Sequence, residues 1–178
     1  MRFLLMMLLA SALPAAALSP AEAEVLRLLN EARTAPAAFA NSYLRERMPA
    51  GAECAREMRR LKPMRRLQTA QMLERSAIAH ALDTGRAGVT GHVGTNGSTL
   101  ADRIERHGQW QGSIAENIYY GPGSPLEIVL SLLIDRGVAG RGHRRNILNP
   151  NLAYVGIAIR PHRSYGNLCV MDFASAVQ

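Results

Sequence analysis

One helix-opening signal occurs twice in this chain, as Ser19-Pro20-Ala21-Glu22 and again as Ser124-Pro125-Leu126-Glu127. In such a box the serine hydroxyl accepts from an amide three residues on, the glutamate reaches back to the serine amide, and proline presets the first helical φ. The first signal predicts a helix from Pro20 to about Ala32, with Val25, Leu26, Leu29 and Ala32 at helical spacing. The second opens a helix through Ile134 that is apolar nearly all round and must be covered on most sides. Two strands follow, about Tyr154 to Arg160 and Leu168 to Ala174, joined by a hairpin connection over 161–166. This order predicts an α+β fold, an antiparallel sheet with helices on both sides.

Between the two signals, Pro36 opens a short helix that carries Phe39, Tyr43 and Leu44 inward, and a third helical segment, about Glu53 to Leu61, ends before Pro63. Thr69 to Thr84 reads as the longest helix, with Leu73, Ala77, His80, Ala81 and Thr84 on one side and Gly85 as its stop. Glycines 85, 88, 91, 94 and 97 then make a flexible loop around His92, closed by Asn96-Gly97. Ser98 or Thr99 caps a helix over Leu100 to His107, and Ala115 to Tyr120 reads as a strand on which Tyr119 and Tyr120 face opposite ways. A Gly-rich turn over 137–142 precedes a short helix from His143 to Ile147.

Residues 1–17 read as a secretory signal: Arg2, an apolar run from Phe3, and Ala15-Ala16-Ala17 as the cleavage site. The run contains Ser11 and Pro14 and falls short of the roughly 20 residues of a spanning helix, so no membrane anchor is expected after cleavage. Residues 18–178 then form one domain, exported to the periplasm or the medium. Cys54 and Cys169 make one possible bridge in an oxidising compartment, with two separate buried thiols as the alternative.

The net charge of +7 is carried almost wholly by arginine. Its densest stretch, Arg56, Arg59, Arg60, Lys62, Arg65 and Arg66, either faces an anionic surface or is a solvated face, the plainer reading because Glu53 and Glu57 are interleaved. No aromatic accompanies these arginines, so nucleic acid is not an expected partner. There is no Gly-x-Ser-x-Gly elbow, P-loop, His-Glu-x-x-His helix or dinucleotide fingerprint, which disfavours a serine hydrolase, an NTPase and a dehydrogenase, and with them a nucleotide cofactor.

Gly91-His92, then Ala115-Glu116-Asn117-Ile118, then Arg141-Gly142-His143-Arg144-Arg145-Asn146-Ile147-Leu148-Asn149-Pro150 is an order that resembles the CAP superfamily, which comprises cysteine-rich secretory proteins, antigen 5 and plant pathogenesis-related proteins. The resemblance covers about Leu29 to Ala174 and implies an α-β-α sandwich of the bacterial secreted type. It also implies a cleft on which His92, Glu116, a second acid and His143 converge, with Asn117 and Asn146 tying the loops to it. Asp135 is the choice for the second acid. The family usually places a glutamate one turn after a tryptophan, and here Leu132 stands in the tryptophan position with Asp135 three residues on. Glu127 is the fallback, although its capping box gives it a structural task.

Two neutral imidazoles are candidate ligands for zinc or a similar divalent ion, but a catalytic zinc usually has three protein ligands, so binding by His92 and His143 should be weak. The first functional expectation is a binding module for a lipid, sterol or cell-envelope component. The second is a zinc-dependent hydrolase in which Glu116 acts as general base on a metal-bound water. A purely structural envelope protein is the third, with the four residues as a polar cluster that only fixes loops. His80 is expected as a satisfied core histidine, and His107 and His162 as exposed.

Overall fold

The computed structural model describes residues 18–44 and 49–178, so the expected signal segment lies outside the described residues. Its elements in chain order are α1 (Pro20–Thr34), α2 (Pro36–Tyr43), α3 (Pro49–Met58), β1 (Gln68–Thr69), α4 (Gln71–Ala87), α5 (Leu100–Glu105), β2 (Trp110–Tyr120), α6 (Pro125–Ile134), α7 (Gly142–Ile147), β3 (Tyr154–His162) and β4 (Gly166–Val177). Both Ser-Pro-x-Glu signals form complete capping boxes, at the heads of α1 and α6. A third box, Thr99 with Asp102, opens α5.

The strands lie in the order β1-β3-β4-β2, with β2 and β3 antiparallel to β4 and the two-residue β1 parallel to β3. Side-chain alternation divides the core between the two faces. Val155, Ile157, Cys169, Met171 and Phe173 pack with α1, α2, α3 and α6, whereas Ala158, Leu168 and Val170 meet Ala77 and Ala81 of α4. The result is the α-β-α sandwich expected.

Several local expectations are corrected. Thr69 belongs to a strand, because its segment pairs with Tyr154 and Val155, and the long helix begins only at Gln71. That helix passes through Gly85 and stops at Gly88, whose φ of 73° is the left-handed conformation a helix terminus uses. Gly85 serves a close approach instead, since a Cβ there would lie 2.4 Å from the carbonyl oxygen of Pro161. The hairpin strands also run on to His162 and Gly166, so His162 is buried, not exposed. Its Nε2 donates to the Val89 carbonyl at 3.0 Å while Nδ1 accepts from the amides of Ser164 and Tyr165, and its ring meets Tyr120 edge-on. His107 is exposed.

The expected bridge is not formed. Cys54 and Cys169 are free thiols, fully buried in the same apolar cluster, where they act as small core side chains. Burial pushes the Cys54 thiol up to about 11 and Cys169 higher still, so neither is a reactive thiolate at neutral pH. Thiol reagents should therefore label neither cysteine in the folded protein and both after denaturation without reductant, as intact mass would show.

Interleaving in sequence does not become neutralisation in space. Glu53 turns to Arg141 and Arg144, and Glu57 to Arg144, while Arg56, Arg59, Arg60, Lys62, Arg65 and Arg66 are all exposed. Buried Arg144 also donates to the carbonyls of Leu133 and Ile134, placing a cation on the last turn of α6.

Candidate functional site

The site is organised by β2, the terminal strand of the sheet, on which Glu116 and Asn117 project to opposite faces. Glu116 points toward α4 and α5. Its Oε1 receives the His92 Nδ1 proton at 2.8 Å and its Oε2 the Arg103 Nη2 proton at 2.5 Å, so both oxygens are engaged. Arg103 reaches back from α5 to the carbonyls of His92 and Ser98 and so fixes the His92 loop. Burial alone would raise the Glu116 pKa, but the His92 hydrogen bond and the Arg103 charge outweigh it and hold the carboxyl below its usual range. His92, 58% exposed at its side chain, is shifted upward chiefly by the Glu116 hydrogen bond.

On the other face, Asp135 is the α6 C-cap, with a left-handed φ of 52°. That turn aims its carboxylate at the start of α7. Oδ2 accepts the His143 amide at 2.9 Å and Oδ1 pairs with His143 Nδ1 at 2.7 Å. Asn117 Nδ2 donates to the His143 carbonyl, and Asn146 Nδ2 to Asn117 Oδ1 and, at 3.5 Å, to the Glu116 carbonyl, so the two asparagines lash α7 to β2. Glu127 stays with Ser124 in its capping box.

The four motif residues thus stand as two histidine–carboxylate pairs, one on each side of β2. Each lines its own recess. His143, Asp135 and Arg136 line one of about 410 Å³ with Ile118, Tyr119, Tyr120, Leu132, Ile134 and Val138, while His92 and Glu116 line one of about 330 Å³ with Val93, Thr99 and Leu100. Each carboxylate holds a ring by Nδ1 and leaves Nε2 to any ligand, the orientation that metal-binding histidines use. For a catalytic zinc the donor set falls short, because among the described residues no three His, Cys, Asp or Glu side chains come together as ligands.

Sequence reasoning missed the inner part of the site. Asp172 lies directly across from Glu116 in the β2–β4 ladder, fully buried, with Ser76 of α4 donating to its Oδ2 at 2.6 Å. His80, one turn on from Ser76, donates from Nε2 to the Gly91 carbonyl and comes within 4.0 Å of Glu116. His80 Nδ1 and Arg103 Nε are buried without a hydrogen-bond partner among the described residues, while Asp172, when protonated, is placed to donate to Glu116. The signal available was an acid in the apolar run Cys169-Val170-Met171-Asp172-Phe173.

Burial, and then the Glu116 charge, raise the Asp172 pKa far above the ordinary carboxylate range, so Asp172 keeps its proton where the unfolded chain would lose it. A raised acid pKa favours the fold below the unfolded value of about 3.9 and costs stability as pH rises above it. Asp172→Asn should therefore raise the melting temperature at pH 8, with the gain shrinking toward pH 4. Melting curves across that range check it, and a gain independent of pH would contradict it.

An α-β-α sandwich with a His–Glu pair and an Asp–His pair flanking the outer strand is the class of protein these features define. Residues 26–173 match the model of the CAP family, described as the cysteine-rich secretory protein family, and the chain belongs to that family. It is 30% identical over 102 residues, 57% of its length, to the uncharacterized protein YkwD of Bacillus subtilis, and spans 37% of that relative. Among solved structures it resembles an extracellular protein containing an SCP domain from Bacillus anthracis, with a TM-score of 0.52, 23% identity, and coverage of 62% of this chain and 34% of the other. It also resembles an outer surface protein from Borrelia burgdorferi, with a TM-score of 0.57, 16% identity, and coverage of 85% of this chain and 92% of the other.

Proposed function

We propose that this is an exported binding module, cleaved after Ala17, whose recess beside His143 takes up a lipid, sterol or other cell-envelope component. The observation that carries the reading is the engagement of both carboxylates. A general base needs a free oxygen and a pKa near the working pH, whereas Glu116 has neither. The 410 Å³ recess combines apolar walls from Leu132, Ile134 and Val138 with a few polar groups, the ordinary make-up of a ligand site. Export accords with the extracellular and outer-surface relatives. Among the described residues no helix is long and apolar enough to cross a membrane.

Glu116→Gln separates this reading from hydrolysis. Replacement of a positioning carboxylate should leave uptake of envelope components intact, with no turnover in either protein. Turnover of an extracted envelope component by the parent and its loss in Glu116→Gln would overturn the binding reading in favour of the hydrolase.

Weak divalent-ion binding is compatible with a binding module, but His92 and His143 line separate recesses, so each Nε2 would hold an ion singly. Imidazole must be neutral to ligate, and Glu116 raises the His92 pKa, so zinc affinity should begin to fall at a pH above about 6.5, the ordinary histidine value. Calorimetry should show His92→Ala removing this pH-dependent binding and His107→Ala leaving it unchanged. Equal zinc affinity in His92→Ala and the parent would remove the ion from the His92 recess.

A further inference from the structure

The outer edge of β2 carries a second kind of recognition surface. Gly121 donates its amide to the Asn167 carbonyl of β4, and the ladder continues in phase through Tyr119↔Cys169 and Asn117↔Met171. Backbone groups alternate in an antiparallel pair, so Glu116, Ile118 and Tyr120 turn their N–H and C=O groups away from β4 toward the free edge. Two other edge positions are closed by side chains. On the far side of the sheet, beyond the short β1, the Ile159 amide of β3 is taken by the carboxylate of Glu22 at 2.8 Å. On β2 itself, the Glu116 carbonyl receives the Asn146 side-chain amide.

Ile118 and Tyr120 are the next two edge positions, and they line the 410 Å³ recess together with Tyr119. Consecutive residues of a strand face opposite ways, so all three can border one recess only where it wraps the strand edge. An open edge invites pairing with any passing strand, and proteins ordinarily block it. Here the open stretch lies in a recess walled by Leu132, Ile134 and Val138, with exposed Arg136 at its border. Arg136 has no carboxylate partner among the described residues, because neighbouring Asp135 is committed to His143.

We propose that the recess binds an extended peptide segment bearing a carboxylate, which adds as a short strand to the β2 edge at Ile118 and Tyr120 and places its acid near Arg136. The proposal rests on the reading of this recess as a ligand site and, among cell-envelope components, selects a peptide over a lipid or sterol. A lipid or sterol would fill the apolar wall but leave the ladder groups without partners. A peptide main chain supplies alternating donors and acceptors at the strand repeat, and its alternate side chains meet the apolar wall.

The probe is a synthetic pool of hexapeptides, randomised at every position and ending in a free carboxylate, set against the same pool N-methylated at alternate residues and against a C-terminally amidated pool. In assigned NMR spectra the plain pool should shift the Ile118 and Tyr120 amides and slow their hydrogen exchange. The N-methylated pool should bind at least about tenfold more weakly, the loss expected for two ladder hydrogen bonds. Arg136→Glu, an exposed substitution, should weaken the free-carboxylate pool and spare the amidated one. Unmoved Ile118 and Tyr120 amides, or equal binding of the N-methylated pool, would overturn the peptide assignment even if an envelope component co-purifies. Equal response of the two end groups to Arg136→Glu would overturn the carboxylate.

Discussion

Gly156→Ala is expected to abolish or nearly abolish folding, with a loss of at least about 4 kcal/mol, the range reached only by severe lesions. A Cβ at Gly156 would lie 2.0 Å from the Leu73 carbonyl carbon, 2.2 Å from the Glu74 nitrogen and 2.3 Å from the Leu73 oxygen. These are backbone atoms of α4, so no rotamer change relieves the clash, and the helix would have to lift from β3. Lifting α4 also pulls Ser76 and His80 from Asp172 and Glu116, so the loss of fold and of the His92 pair should come together. Chemical denaturation checks the stability and the His92 ring resonance checks the site. A loss under about 1 kcal/mol would mean that α4 and β3 are not packed backbone to backbone.

Arg33→Met should be the second large effect. The Arg33 guanidinium is fully buried in α1 and donates to four carbonyls, those of Arg65, Ile147, Asn149 and Leu152. It joins α1 to the segment before β1 and to the chain between α7 and β3. Burial, and secondarily the Arg65 charge, pull its pKa down to about 10, yet it remains charged at neutral pH. Methionine fills much of the volume but leaves the four acceptors without it, and a loss of about 3 to 5 kcal/mol follows. Arg33→Lys should recover only part, because a point charge cannot match the planar fork. The urea midpoint should fall with little change in slope, and an unshifted midpoint in Arg33→Met would contradict the account.

What the sequence makes legible here is what is decided locally. The two Ser-Pro-x-Glu boxes place the starts of α1 and α6 because a cap is settled within four residues. Glu116, Asn117, Asp135, His143 and Asn146 come forward because their motifs are compact and family-specific. Asp172 and Arg103 do not, since the neighbours that make them matter lie 56 and 13 residues from them at Glu116, and only the β2–β4 register and the docking of α5 supply those contacts. Glu53 and Glu57 misled for the same reason: beside the arginines in sequence, they pair with Arg141 and Arg144 across the fold. Cys54 and Cys169 satisfy the arithmetic of a bridge, and packing assigns them to the core separately.

The most direct test of the central claim, that the recess along β2 binds and does not hydrolyse, is mass spectrometry of what the protein retains from envelope extract. Parent, Glu116→Gln and Val138→Asp are compared, the last placing a charge on the exposed wall of the recess without touching the core. The account predicts one unaltered component retained by the parent and by Glu116→Gln and lost from Val138→Asp. Retention by all three alike, or a cleaved product that appears with the parent and not with Glu116→Gln, would contradict it.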